Sequence, residues 1–178
     1  MRQPLWFFDL DNTLHDASGV IFPYINQAMT TYVARRLGLS HQEASLVREG
    51  YWRRYGATLL GLVRHHEIDP HEFLRETHKF DEVTGRHLDD LAHIVSGEKN
   101  LRFVLNRLPG KKVLLTNAPK AYAEKIMKEL GIHQCFHAVE AIEDMVIHHK
   151  WRPKPDTLML RRVLQKYRVA PSKAVLVD

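Results

Sequence analysis

Apolar and polar positions along the chain fall into two alternating patterns. Leu5-Trp6-Phe7-Phe8 is a short unbroken apolar run, ended at once by Asp9-Leu10-Asp11-Asn12. A run this short, closed by turn-forming residues, predicts a strand buried on both faces of a parallel sheet. Similar runs recur late, at Val113-Leu114-Leu115, Ala138–Ile142 and Ala174–Val177. Between them lie helical patterns. Pro119 stands at an expected first helical position with Gly131 just past the end, and Pro155 opens a second pattern through Leu158, Leu160, Val163 and Leu164. Strands alternating with helices of this length predict an α/β, doubly wound (Rossmann-like) parallel sheet.

The middle of the chain follows a different rule. Ile25, Ala28, Met29, Tyr32, Val33 and Leu37 recur at helical spacing. Ser40 with Glu43 forms a capping-box pattern, and Asp69-Pro70 can cap and open another helix that holds Phe73 and Leu74. No convincing strand interrupts this stretch. The expected organisation is a sheet-bearing core from residues 1–15 and 109–178, with an all-helical cap inserted at 16–108. Two tandem domains fit less well, because the first strand would then lack sheet partners.

Composition narrows the class without choosing a function. The chain has 178 residues, 44% of them hydrophobic, which suits a folded domain and excludes a disordered or disulfide-stapled one. Its one cysteine, Cys135, cannot form an internal disulfide and reads as a small core residue. No run approaches the ~18 apolar residues of a membrane helix. A reduced, cytoplasmic protein is expected, with no membrane partner. There are 26 Lys and Arg against 21 Asp and Glu, a formal net charge of +5, which favours anionic ligands. The basic residues form scattered pairs such as Arg35-Arg36 and Arg161-Arg162, so no nucleic-acid partner is expected. His65-His66 and His148-His149 are adjacent pairs without metal-ligand spacing. Tyr51, Trp52 and Tyr55 could stack on a base, though an aromatic cluster on a helix reads more readily as core.

The chemistry concentrates at the end of the first strand. Asp9 and Asp11 are two apart, and residues i and i+2 of an extended segment point to one side. In open α/β sheets the ligand site lies beyond the carboxyl ends of the strands. Two close carboxylates repel, so either a cation binds between them or one stays protonated. An acidic turn ending a strand would use the same residues without any chemistry.

The string Phe7-Phe8-Asp9-Leu10-Asp11-Asn12-Thr13-Leu14 resembles the first motif of the haloacid dehalogenase superfamily. Val113-Leu114-Leu115-Thr116-Asn117 resembles the second motif, Lys154-Pro155-Asp156 the third, and Ala174-Val175-Leu176-Val177-Asp178 the start of the fourth. The resemblance implies Mg²⁺-dependent phosphate monoester hydrolysis, with Asp9 as nucleophile and Asp11 as general acid and base. It further implies Thr116, Asn117 and Lys154 as the phosphate clamp. Asp9, the main-chain carbonyl of Asp11, and Asp178 are the implied metal ligands. The second acid favours phosphoryl chemistry, since the superfamily's dehalogenases lack it.

His15-Asp16-Ala17-Ser18, Phe22-Pro23, Met29, Tyr55–Leu59 and Gly61-Leu62 are similar to the pyrimidine 5′-nucleotidase branch, which implies a nucleoside 5′-monophosphate as the small phosphorylated substrate. The resemblance also implies a core that continues beyond the fourth motif, so the expected core is shortened at its C-terminus, with weak Mg²⁺ binding. A phosphomutase of the same superfamily and a non-catalytic interaction protein on a shortened phosphatase fold are the alternatives.

Overall fold

The computed structural model describes residues 3–79, 95 and 97–178, so part of the expected helical insertion, residues 80–94 and 96, lies outside the described residues. The chain divides into two compact units, residues 1–17 with 91–178, and residues 18–90.

The first unit is built on a four-stranded parallel sheet of β1 (Leu5–Phe8), β2 (Lys111–Leu115), β3 (Ala138–Glu140) and β6 (Ala174–Val177), in the order β3-β2-β1-β6. β1 pairs with β2 through Phe7↔Val113 and with β6 through Phe7↔Leu176. The strand order therefore reverses across β1, and in doubly wound sheets such a switch point opens the crevice where ligands bind. The α/β fold with a parallel sheet and a helical segment after the first strand is thus as the apolar runs predict.

Alternation along the strands separates the two faces of the sheet. Leu5, Phe7, Val113 and Leu115 pack with Met145, Ile147, Met159 and Val163 into one buried cluster. The edge of the Tyr167 ring meets Phe7 there, with centroids 5.9 Å apart. On the opposite face Phe8 meets Phe136 edge-on at 5.9 Å. Each such large apolar side chain contributes about 1.5–3 kcal/mol on burial, so this core fixes the strand ends that carry the site.

Three elements of this unit depart from the sequence expectation. The run Ala138–Ile142 is a strand only as far as Glu140, then turns into a short 3₁₀ helix at Ile142–Asp144. Pro155 does not open a helix: α7 (Thr157–Lys166) starts after Asp156, whose carboxylate accepts from the amides of Leu158 and Met159. Helix α5 (Leu101–Arg107), assigned by sequence to the insertion, groups with the sheet unit because it packs on the 3₁₀ turn His133–Cys135 and buries Leu105. α6 (Lys120–Glu129) follows Pro119 and ends before Gly131, whose φ of 65° is the left-handed stop the pattern anticipates. A hairpin of β4 (Val146–Ile147) and β5 (Lys150–Trp151) completes the unit.

The described residues of the second unit are helical throughout: α1 (Ile21–Leu37), α2 (His41–Tyr55), α3 (Thr58–His66) and α4 (Pro70–Thr77). The Ser40/Glu43 capping box forms in both directions, and Asp69 caps α4. The buried stripe Tyr24, Ile25, Ala28, Tyr32 and Val33 gives α1 its inner face, where Phe73 of α4 meets Tyr32 edge-on at 5.3 Å. The aromatic cluster is not the core the sequence suggests. Trp52 is 61% exposed, while half-buried Tyr51 and Tyr55 pair their hydroxyls with His66 and His65 at 2.6 Å.

Candidate active site

Strand register assembles the site. Phe8 stands opposite Val177, and the amide of Asp9 donates to the Val177 carbonyl at 2.9 Å, so Asp9 and Asp178 leave adjacent strands side by side. The Lys154 ammonium lies between their carboxylates, 2.7 Å from Asp9 Oδ1 and 2.8 Å from Asp178 Oδ2. Burial pushes the Asp9 carboxyl above the ordinary carboxylate value, and the hydrogen bond and charge of Lys154 pull against that rise.

Lys154 is held there by Asn117. The Asn117 carboxamide oxygen accepts from the Lys154 amide at 2.8 Å, and its nitrogen donates to the Lys154 carbonyl at 3.1 Å. The side chain of Asn117 is thereby committed to the main chain of Lys154, so its contribution is to fix the lysine at the end of β2. Thr116, buried just past β2, accepts from the amide of Ala118 through Oγ1 at 3.0 Å, which leaves its hydroxyl proton available to donate.

Asp11 faces different neighbours from Asp9. The chain turns immediately after β1: Leu14 donates to the Leu10 carbonyl at 2.9 Å, and Asn12 takes a left-handed φ of 60° while its side chain accepts from the Ala17 amide at 3.0 Å. An asparagine suits that conformation because its short polar side chain satisfies the turn locally. The turn carries Asp11 out of the extended register, so the two aspartates do not simply share one side of a strand. Oδ1 of Asp11 accepts from Tyr122 Oη at 2.6 Å and pairs with His15 Nε2 at 2.9 Å. Burial and the negative charge of Asp11 drive the Tyr122 phenol far above its ordinary value, so it remains a donor. Tyr122 does not stand out in the sequence, and His15 does so only as part of the string His15–Ser18, with no role of its own.

The expected site residues Asp9, Asp178, Lys154, Asn117 and Thr116 thus meet at the carboxyl ends of β1, β2 and β6, with Asp11 one turn beyond. Among the described residues no three His, Cys, Asp or Glu side chains gather as a ready metal cluster. The donor chemistry nevertheless fits Mg²⁺. Two carboxylates in adjacent register already converge on one cation, and both offer the hard oxygens that Mg²⁺ prefers.

Residues 5–178 match the family model for haloacid dehalogenase-like hydrolases. Phosphate metabolism protein 8 of Saccharomyces cerevisiae is 28% identical over 160 residues, covering 85% of this chain and 48% of that protein. The chain therefore spans about half the length of that curated relative. Among solved structures, a HAD phosphatase from Thermococcus onnurineus aligns with 98% of this chain and 76% of its own, at a TM-score of 0.60 and 21% identity. The L-2-haloacid dehalogenase of Xanthobacter autotrophicus aligns with 98% of this chain and 69% of its own, at a TM-score of 0.54 and 16% identity. One fold thus carries both chemistries, and the fold alone does not choose between them. The match over residues 5–178, nearly the whole chain, places it in the haloacid dehalogenase-like hydrolase family.

Proposed function

We propose that the protein hydrolyses phosphate monoesters through an aspartyl-phosphate on Asp9, with a pyrimidine nucleoside 5′-monophosphate as substrate. The observation that carries this reading is the Lys154 ammonium gathering Asp9 and Asp178 at the switch point of the sheet. A cation at that position offsets the negative charge that would otherwise repel a phosphoryl dianion from a carboxylate nucleophile. Asp9 attacks phosphorus as the ester P–O bond breaks, and Asp11 hands a proton to the departing oxygen. Asp11 then takes a proton from water as the water oxygen displaces the Asp9 carboxylate. Thr116 donates its hydroxyl to a phosphoryl oxygen, and Asn117 keeps Lys154 in reach. The residues that would hold Mg²⁺ are Asp9, Asp178 and the main-chain carbonyl of Asp11; the ion, when bound, neutralises charge on the phosphoryl oxygens.

The nucleotide reading is supported by the similarity of His15–Ser18, Phe22-Pro23, Met29, Tyr55–Leu59 and Gly61-Leu62 to the pyrimidine 5′-nucleotidase branch, and the phosphate chemistry by the relative named for phosphate metabolism. The test is phosphate release from a pyrimidine nucleoside 5′-monophosphate with Mg²⁺. Asp9→Asn should abolish turnover with the fold intact, and Asp11→Asn should slow it roughly 10²–10⁴-fold. Undiminished hydrolysis by the Asp9→Asn protein would refute the mechanism.

A further inference from the structure

Under the phosphatase reading, on which this inference rests, Asp11 must present one carboxylate oxygen to the leaving group and later to water. A free aspartate side chain rotates between its two oxygens. Here the rotation is blocked: among the described residues, the side-chain hydrogen bonds of Asp11 both go to Oδ1. They come from two places in the chain. His15 reaches back four residues across the turn, and Tyr122 reaches across from α6, 111 residues away.

A buried tyrosine hydroxyl usually finds a partner, so the Tyr122 bond alone could be packing. His15 argues otherwise. Its side chain is 0% exposed, and with Nε2 turned to Asp11 its Nδ1 is buried without a hydrogen-bond partner among the described residues. A leucine or methionine would fill the same space with no orphaned nitrogen. The fold tolerates that orphan in order to put a second donor on Asp11 Oδ1.

We propose that Tyr122 and His15 are positioning residues for the proton transfers of Asp11. They pin Oδ1 and leave Oδ2 as the oxygen that carries the proton. In the first step the Oδ2 proton passes to the ester oxygen as the P–O bond breaks and the bond from Asp9 forms. In the second, Oδ2 takes a proton from water as the water oxygen bonds to phosphorus and the Asp9 carboxylate departs. Both steps conserve charge and need no further reactant.

The test uses two esters that differ in their need for an acid. A nucleoside 5′-monophosphate releases a strongly basic alkoxide that must be protonated, whereas p-nitrophenyl phosphate releases a stable phenolate that need not be. Since kcat/KM reports transition-state stabilisation from free enzyme and substrate, it isolates the first transfer. With Mg²⁺ present, Tyr122→Phe and His15→Leu should each lower kcat/KM for the nucleotide roughly 10-fold or more, a fraction of the whole acid–base term. For p-nitrophenyl phosphate the loss should stay within about 3-fold, because the leaving group needs no proton. His15→Gln, which keeps a side-chain N–H donor, should recover part of the nucleotide rate that His15→Leu loses. If Tyr122→Phe does not fold, the His15→Leu and His15→Gln pair makes the same comparison. Equal losses with both esters, or no loss with either, would overturn the positioning role while leaving the phosphatase reading intact. A wild-type protein that releases phosphate from neither ester would overturn that reading, and this proposal with it.

Discussion

The Lys154 ammonium sits 2.7 Å from Asp9 Oδ1, with the lysine side chain 9% exposed and the aspartate 14% exposed. An ion pair this secluded differs from a surface pair, which is worth little because water and salt screen it. Lys154 also reaches Asp178, so a single cation balances two carboxylates. Lys154→Met keeps most of the volume and removes the charge. Under the phosphatase reading it should lower kcat roughly 10²–10³-fold, the usual cost of removing one preorganised charge-stabilising group. Steady-state phosphate release on a folded variant, verified by circular dichroism, measures it. A loss under 10-fold would place Lys154 outside the charge-stabilising machinery.

Helix α3 offers a reversal of an ordinary rule. A glycine inside a helix normally costs about 0.5–1 kcal/mol relative to alanine, so replacing it stabilises. Gly61 lies inside α3, but a Cβ there would come within 2.1 Å of Tyr51 Cγ on α2. An aromatic ring held by its hydroxyl to His66 at 2.6 Å cannot step aside cheaply. Gly61→Ala should therefore destabilise, by about 1–3 kcal/mol, as overpacking does. Chemical denaturation gives the sign directly, and a more stable Gly61→Ala protein would contradict the close approach of these two helices.

The parts of this molecule legible in its sequence are those where one local pattern dictates the structure. β1 and β6 are unbroken apolar runs and β2 ends in one, Val113–Leu115, and their ends carry Asp9, Asp178 and Thr116, so strand prediction located most of the candidate site. The Ser40/Glu43 and Asp69-Pro70 caps are short-range hydrogen bonds between neighbours, readable for the same reason. What could not be read depends on distant pairing. Nothing near Tyr122 announces a bond to Asp11, and the reciprocal tie of Asn117 to Lys154 spans 37 residues. The β4–β5 hairpin was hidden differently: its turn places His148 and His149 at φ of 50° and 61°, where Asn-Gly is the usual signal. Two histidines in the left-handed region give the sequence reader no cue.

Asp156 gives α7 a pH-dependent start. Burial raises its carboxyl, but the amides of Met159 and Leu158 and the Arg152 guanidinium at 2.9 Å outweigh that and hold it below its ordinary value. A carboxyl with a depressed folded value adds stability above the unfolded value, and that stability is lost as pH falls through the folded one. Asp156→Ala should cost about 1 kcal/mol near neutral pH, as loss of an N-cap usually does. Asp156→Asn keeps the cap and should flatten the acid limb of the stability curve below the carboxylate range. Urea melts at neutral and acid pH separate the two. An Asp156→Asn protein that keeps the full acid dependence would assign that dependence to other carboxylates.

Glu140 at the end of β3 has a side chain 4% exposed, against 57% for its partner Lys166 on α7. The ammonium lies 2.6 and 2.8 Å from the two carboxylate oxygens, and the Tyr167 hydroxyl donates to Oε1 as well. This asymmetry decides which half of the pair matters. A freed Lys166 can return its charge to water, but a freed Glu140 cannot. Lys166→Ala should therefore leave a buried carboxylate with one donor and cost about 1–3 kcal/mol. Glu140→Gln removes the buried charge, retains an acceptor for Tyr167, and should cost less than about 1 kcal/mol. The double variant should lose less than the two single losses combined, since no unpaired charge remains once Glu140 is neutral. Equilibrium urea unfolding of all four proteins closes the cycle. If Glu140→Gln proves the more damaging single change, the ion pair itself, and not the burial of its acid, anchors α7 to the sheet.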